Sequence, residues 1–128
     1  MKFLLDTHIW LWLFEDSHRL GPFVRNELQK AESELWLSPI SSWEALTLYR
    51  KGRIKIFEEV GEWLSRMTAG TKEAFLTHEI SLASIRLPLH GDPADRIIAA
   101  TAQVLDFTLV TADQRLLGLG TIRTLANR

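Results

Sequence analysis

Four acidic residues stand where an apolar run gives way to polar sequence or where a helical stretch begins. Asp6 directly follows Phe3-Leu4-Leu5, and Glu44 comes shortly after Leu35-Trp36-Leu37 and Ser41-Ser42. Asp95 lies just inside a stretch opened by Asp92-Pro93, and Asp113 comes two residues after Thr111, at the exit of Thr108-Leu109-Val110. Carboxylates gathered at one edge repel one another unless a cation offsets them. Mg2+ is a hard ion that takes oxygen ligands in octahedral geometry, and two such ions about 3.5–4 Å apart suit phosphodiester hydrolysis. No lysine or arginine adjoins Asp6 or Glu44, although Arg96 adjoins Asp95.

Each acid also has a purely structural reading. Asp6 after a strand could serve as a turn or cap, and Glu44 could complete a capping box with Ser41. Asp95 and Asp113 at helix starts are favoured by the helix dipole whatever the function. Thr7 and Thr111 flank the acids and could position a water or substrate, or could simply cap a helix and end a strand. His8 and His90 lack the spacing of a zinc site, and a surface or packing role suits both.

Other catalytic signatures are absent. No serine stands in a G-x-S-x-G elbow, and no Gly-rich phosphate loop occurs. Arg50, Lys51, Arg53 and Lys55 form a basic group that could steer RNA phosphates or simply form a solvated face. The tryptophans at 10, 12, 36, 43 and 63 could stack bases, but core or protein–protein contacts explain them as well.

The elements that must position these acids are short strands alternating with helices. Phe3-Leu4-Leu5, Leu35-Trp36-Leu37 and Thr108-Leu109-Val110 are strand candidates; Phe75-Leu76-Thr77 and Thr121-Ile122-Arg123 are weaker ones. Gly21-Pro22 opens a stretch with Val24, Leu28 and Ala31 at helical spacing. Helices are also expected around Glu44 as far as Gly52, from Phe57 to Met67, from Asp92-Pro93 to Leu105, and from Asp113 to Leu117. Such alternation predicts one domain, residues 1–128, folded as a three-layer α/β/α sandwich with a mostly parallel central sheet. In such sheets ligands bind beyond the carboxyl ends of the strands, which puts all four acids on one edge.

Composition sets wide limits. The chain has 128 residues, 46% hydrophobic and 24% charged, with no cysteine, so a disulfide framework and a thiolate site are both excluded. That suits a reducing compartment. No apolar stretch reaches the length of a membrane span, and Asp6 and His8 interrupt any signal-peptide layout; the expectation is a cytoplasmic protein. The net charge of −1 does not suggest a nucleic-acid binder. With four acids set aside as metal ligands, however, the 15 basic residues outnumber the remaining acids.

Taken in order, M-K-F-L-L-D-T-H-I-W-L-W at the start, P-I-S-S-W-E-A, H-G-D-P-A-D-R-I-I-A-A-T-A and L-V-T-A-D resemble the PIN-domain family, in its VapC toxin branch. The resemblance runs from Met1 to about Arg123. It implies a parallel sheet flanked by helices and an endoribonuclease dependent on Mg2+ or Mn2+. By position, Asp6, Glu44 and Asp95 match the core acids, Asp113 the more variable fourth, and Thr111 the hydroxyl residue two before it. Asp92 is a possible assisting acid or a cap. The resemblance further implies the toxin of a toxin–antitoxin pair, a homodimer whose antitoxin partner wraps it and blocks the site. The apolar segment Ile9 to Phe14 suits such a partner surface or the core. Rival readings are a PIN-fold nuclease for RNA processing or DNA, a non-catalytic protein-interaction module, and a receiver-like phosphoacceptor. The last expects paired acids near the first strand and a lysine near the last, and neither is evident.

Overall fold

A computed structural model describes residues 1–128. Its centre is an all-parallel sheet of five strands: β1 (Lys2–Leu5), β2 (Glu34–Leu37), β3 (Lys72–Glu73), β4 (Thr108–Thr111) and β5 (Thr124–Ala126). The spatial order is β3-β2-β1-β4-β5. The chain therefore steps outward one way from β1 to β3, and the other way through β4 to β5. The reversal lies between β1 and β4, where an open parallel sheet forms its natural crevice.

Seven α-helices cover the sheet: α1 (Thr7–Glu15), α2 (Pro22–Gln29), α3 (Pro39–Arg50), α4 (Val60–Thr68), α5 (His78–Arg86), α6 (Pro93–Leu105) and α7 (Gln114–Leu117). Alternation along the strands divides the core into two layers. Phe3, Leu5 and Val110 pack with Ile9, Trp10, Val24, Leu28, Trp63 and Met67. Leu4 and Leu109 pack on the opposite face with Ile80, Ile98, Ala99, Ala102 and Leu116. Strands buried on both faces are apolar without a break, as Phe3-Leu4-Leu5 is.

The weaker sequence expectations shift here. The third strand is Lys72–Glu73, not residues 75–77; Phe75 and Leu76 lie exposed just beyond it. The last strand is Thr124–Ala126, not residues 121–123. The Ile9–Phe14 run forms α1, with Ile9, Trp10 and Leu11 buried and Trp12, Leu13 and Phe14 partly so. Helix α5 had no counterpart in the sequence reading. No helix is long and apolar enough to cross a membrane.

Candidate metal centre

Asp6 leaves the end of β1 at the crevice, and its backbone N–H still donates to the Val110 carbonyl at 3.0 Å, extending the β1–β4 ladder. Its carboxylate has two donors. Oδ1 accepts the Thr7 backbone N–H at 2.9 Å, capping α1, and Oδ2 accepts the Thr111 hydroxyl at 2.6 Å. Asp6 is therefore a cap and a member of the cleft at once. Burial pushes its carboxyl above the ordinary range, against the Thr111 and Thr7 hydrogen bonds.

Glu44 projects from α3. The capping-box reading does not hold for it, because the cap of α3 is Ser38, whose hydroxyl accepts the Ile40 N–H at 3.1 Å. Instead the Glu44 carboxylate takes the Thr7 hydroxyl, and that hydroxyl lies 2.9 Å from the buried Ser41 hydroxyl. Burial raises the Glu44 carboxyl despite the Thr7 bond, and repulsion from Asp92, Asp95 and Asp6 adds to the rise. Both threonines are buried, and both hydroxyls are engaged by carboxylates.

Asp92 caps α6 through Oδ1, which accepts the Ala94 N–H at 2.9 Å, and Pro93 fills the first helical position. Asp95, one residue beyond Ala94, points into the cleft from the first turn of that helix. Burial drives its carboxyl up to about 6, with repulsion from Asp92, Asp6 and Asp113 behind it and Arg115 opposing. Asp113 caps α7, its Oδ1 accepting the Arg115 N–H at 2.8 Å. The Arg115 guanidinium holds the Asp113 carboxyl below its usual range.

Asp6, Thr7, His8, Trp12, Glu44, Asp92, Asp95, Ala112 and Asp113 thus line one cleft of about 300 Å³. All four acids singled out in the sequence are there, with Asp92 beside them; Thr111 stands behind Asp6. His8 lies at the cleft with its ring 5.8 Å from that of Trp12, whereas His90 is not among the lining residues. Glu44, Asp92 and Asp95 each offer an oxygen, and those atoms lie within 4.8 Å of one another. Hard oxygen donors crowded this closely, with burial and mutual repulsion raising the Glu44 and Asp95 carboxyls, fit a hard divalent cation.

The sequence reading missed Arg115. One of its terminal nitrogens donates to Asp95 Oδ2 at 2.7 Å and to Asp113 Oδ2 at 2.9 Å. Arg96, the neighbour of Asp95 in sequence, contributes no ion pair, and its buried Nε has no hydrogen-bond partner. The only early signal for Arg115 was its place two residues after an acid at a helix start.

A larger groove of about 580 Å³ adjoins the cleft and shares His8 and Trp12 with it. Leu11, Ile54, Ile56, Phe57 and Trp63 give it apolar walls, and Arg53, Lys55 and Glu58 lie along it. Phe57 is 92% exposed. Trp10 and Trp63 belong to the core, their indole N–H groups donating to the Met67 carbonyl and to Glu15.

The profile of a family described as PIN domain matches residues 3–120. The ribonuclease VapC22 of Mycobacterium tuberculosis is 33% identical over 115 residues, 88% of each chain. Among solved structures, VapBC of Salmonella typhimurium bound to DNA superposes with a TM-score of 0.76 at 16% identity, covering 100% of this chain and 99% of the other. VapBC2 of Rickettsia felis bound to a promoter DNA fragment gives 0.73 at 18% identity, covering 98% of both.

Proposed function

Because this chain belongs to the PIN domain family, we propose that it hydrolyses RNA phosphodiester bonds as the toxin of a toxin–antitoxin pair, using Mg2+ or Mn2+. The observation that carries the reading is the set of Glu44, Asp92 and Asp95 oxygens within 4.8 Å of one another, in the cleft that Asp6 and Asp113 also line. Glu44, Asp92 and Asp95 would hold a divalent ion, while Asp6 and Asp113 supply further negative charge. Such an ion, when bound, makes water more acidic and offsets charge that develops on phosphoryl oxygens.

The protein's own groups prepare that site. Thr7 fixes the Glu44 carboxylate, and Ser41 fixes Thr7. Thr111 and the Thr7 N–H hold Asp6 by both oxygens, which fixes the orientation of its carboxylate in the cleft. These threonines act through the acids they orient, so they are positioning residues. Fixing the acceptors in advance spares reorganisation during the reaction.

The antitoxin is proposed to lie in the larger groove. Its apolar walls and exposed Phe57 suit an amphipathic segment, and its continuity with the acid cleft through His8 and Trp12 lets one occupant cover both. A second copy of the chain is proposed to pack on exposed apolar side chains such as Leu82 and Ile85 of α5, the latter 72% exposed.

The test of the function is incubation of purified, antitoxin-free protein with total RNA. Cleavage that EDTA abolishes and Mg2+ or Mn2+ restores is the expected result. Cleavage of equal rate in excess EDTA, or none of a broad RNA panel with metal present, would overturn it.

A further inference from the structure

His8 and Trp12 are the two residues that line both the acid cleft and the larger groove. They stand one turn apart on α1, so their side chains share a face, with ring centroids 5.8 Å apart. Trp12 is half-buried against the core, and the Arg19 guanidinium sits over its ring at 5.9 Å. His8, by contrast, is exposed. Trp12 is thus a fixed support, and His8 an open ring held between the acids and the groove. We propose that the His8 ring is a stacking platform for one unpaired base of the RNA, beside the phosphate at the acids, and that Arg53 and Lys55 take phosphates of the strand as it continues along the groove. The inference rests on the ribonuclease reading and adds a subsite to it.

The charges along the groove support that course. Arg19 pairs with Asp16 at 3.3 Å, and Arg66 pairs with Glu15 at 3.4 Å and with Glu58 at 2.6 Å. Those five side chains satisfy one another. Arg53 and Lys55 line the same groove, are exposed, and enter no ion pair or side-chain hydrogen bond. A strand leaving a cluster of carboxylates needs cations for its next phosphates, and these are the two in the groove that nothing else engages. Aromatic faces for bases and cations for the backbone are the combination that holds single-stranded nucleic acid. Paired bases keep to their own stack, so a lone ring selects unpaired RNA. An antitoxin seated in the groove would cover the same residues, so RNA and antitoxin would exclude one another.

The experiment is fluorescence anisotropy in Mg2+ with a labelled single-stranded RNA oligonucleotide and, separately, with that strand annealed to its complement. It uses the full chain carrying Asp95→Asn, which is expected to leave the RNA uncut. Adding His8→Ala should weaken single-strand binding about tenfold, the scale of one stacked base, and leave duplex binding unchanged. His8→Phe keeps a ring without its nitrogens and should bind as the parent does, which a part in metal or proton handling would not allow. Moved along the strand, an abasic nucleotide should reach one position where it weakens the parent but not the His8→Ala chain. Arg53→Gln with Lys55→Gln should lower the slope of log affinity against log salt by about 1.4, from ~0.7 per phosphate on a single strand. All three side chains are exposed, so none of these changes disturbs the core. Undiminished binding by His8→Ala, an equal loss on the duplex, a loss in His8→Phe as large as in His8→Ala, or an unchanged salt slope would overturn the inference. So would antitoxin affinity that falls in these variants while RNA affinity holds, which gives the face to the protein partner alone. RNA bound in this way but never cut by the unsubstituted chain would sink the proposed function and leave the subsite standing.

Discussion

The hydroxyl of Thr111 donates to the carboxylate of Asp6 at 2.6 Å, joining the ends of two adjacent parallel strands across 105 positions of sequence. The same hydroxyl accepts the Asp113 backbone N–H at 3.0 Å. One buried side chain thus sets the direction of the first acid and the turn that presents the last. Thr111→Val keeps the shape and removes both bonds. It should cost about 2 kcal/mol in urea unfolding, the scale of a lost hydrogen bond to a charged group, and reduce RNA cleavage, whereas Thr111→Ser restores most of each. A Val variant as stable and active as the wild type would remove Thr111 from the account.

The pH dependence of the metal-free protein follows from Asp95. Its folded-state pKa, raised to about 6, exceeds that of an unfolded aspartate, so the folded state binds the extra proton. Its contribution to stability is complete below the unfolded pKa, about 4, and is lost as pH rises through about 6. Asp6 and Glu44, also raised, act in the same direction. Asp113, lowered by Arg115, has the opposite sign: its contribution is present above the unfolded pKa and is lost only as pH falls below that value. Metal-free melting temperature should therefore fall between roughly pH 4 and pH 6. Asp95→Asn should flatten that slope and raise the melting temperature at pH 7. An unchanged slope in the variant would contradict the crowding of these acids.

Asp92 serves two ends with two oxygens, which a substitution can separate. Asn is as good a helix cap as Asp, so Asp92→Asn preserves the bond to the Ala94 N–H while removing the charge. Thermal stability without metal should hold or rise. Mn2+ affinity measured by calorimetry should fall by more than the ~10-fold typical of losing an outer-shell partner. Unchanged affinity would leave Asp92 a cap alone.

Phe57, 92% exposed at the groove, should anchor the antitoxin. Phe57→Asp is predicted to weaken the purified complex by about 2 kcal/mol, the lower bound of an interface hot spot. Calorimetry with the cognate antitoxin checks this, and undiminished affinity would place the partner elsewhere.

How far the sequence disclosed this arrangement depended on what each element buries. β1, β2 and β4 lie inside the sheet and bear continuous apolar runs, so they were legible along with the turn that each acid follows. β3 is a two-residue edge strand, Lys72–Glu73, both exposed; with no buried face it carries no pattern, whereas the apolar Phe75-Leu76 beyond it mimics one. α1 is apolar nearly all round, a composition without a period to read. The acids were legible because their types and positions after strands already limit what they can do. Arg115 was not, because its pairing with Asp95 spans 20 positions and arises only when α7 starts beside α6.

The most direct test of the account compares initial rates of RNA cleavage by the wild type and by Asp95→Asn at saturating Mn2+, with unfolding curves run on both. Asp95 lies at the junction of the ion-holding trio and the Arg115 pair, and its removal should abolish cleavage while the metal-free fold gains stability. Cleavage by Asp95→Asn at the wild-type rate would contradict the assignment of this cleft as the active centre.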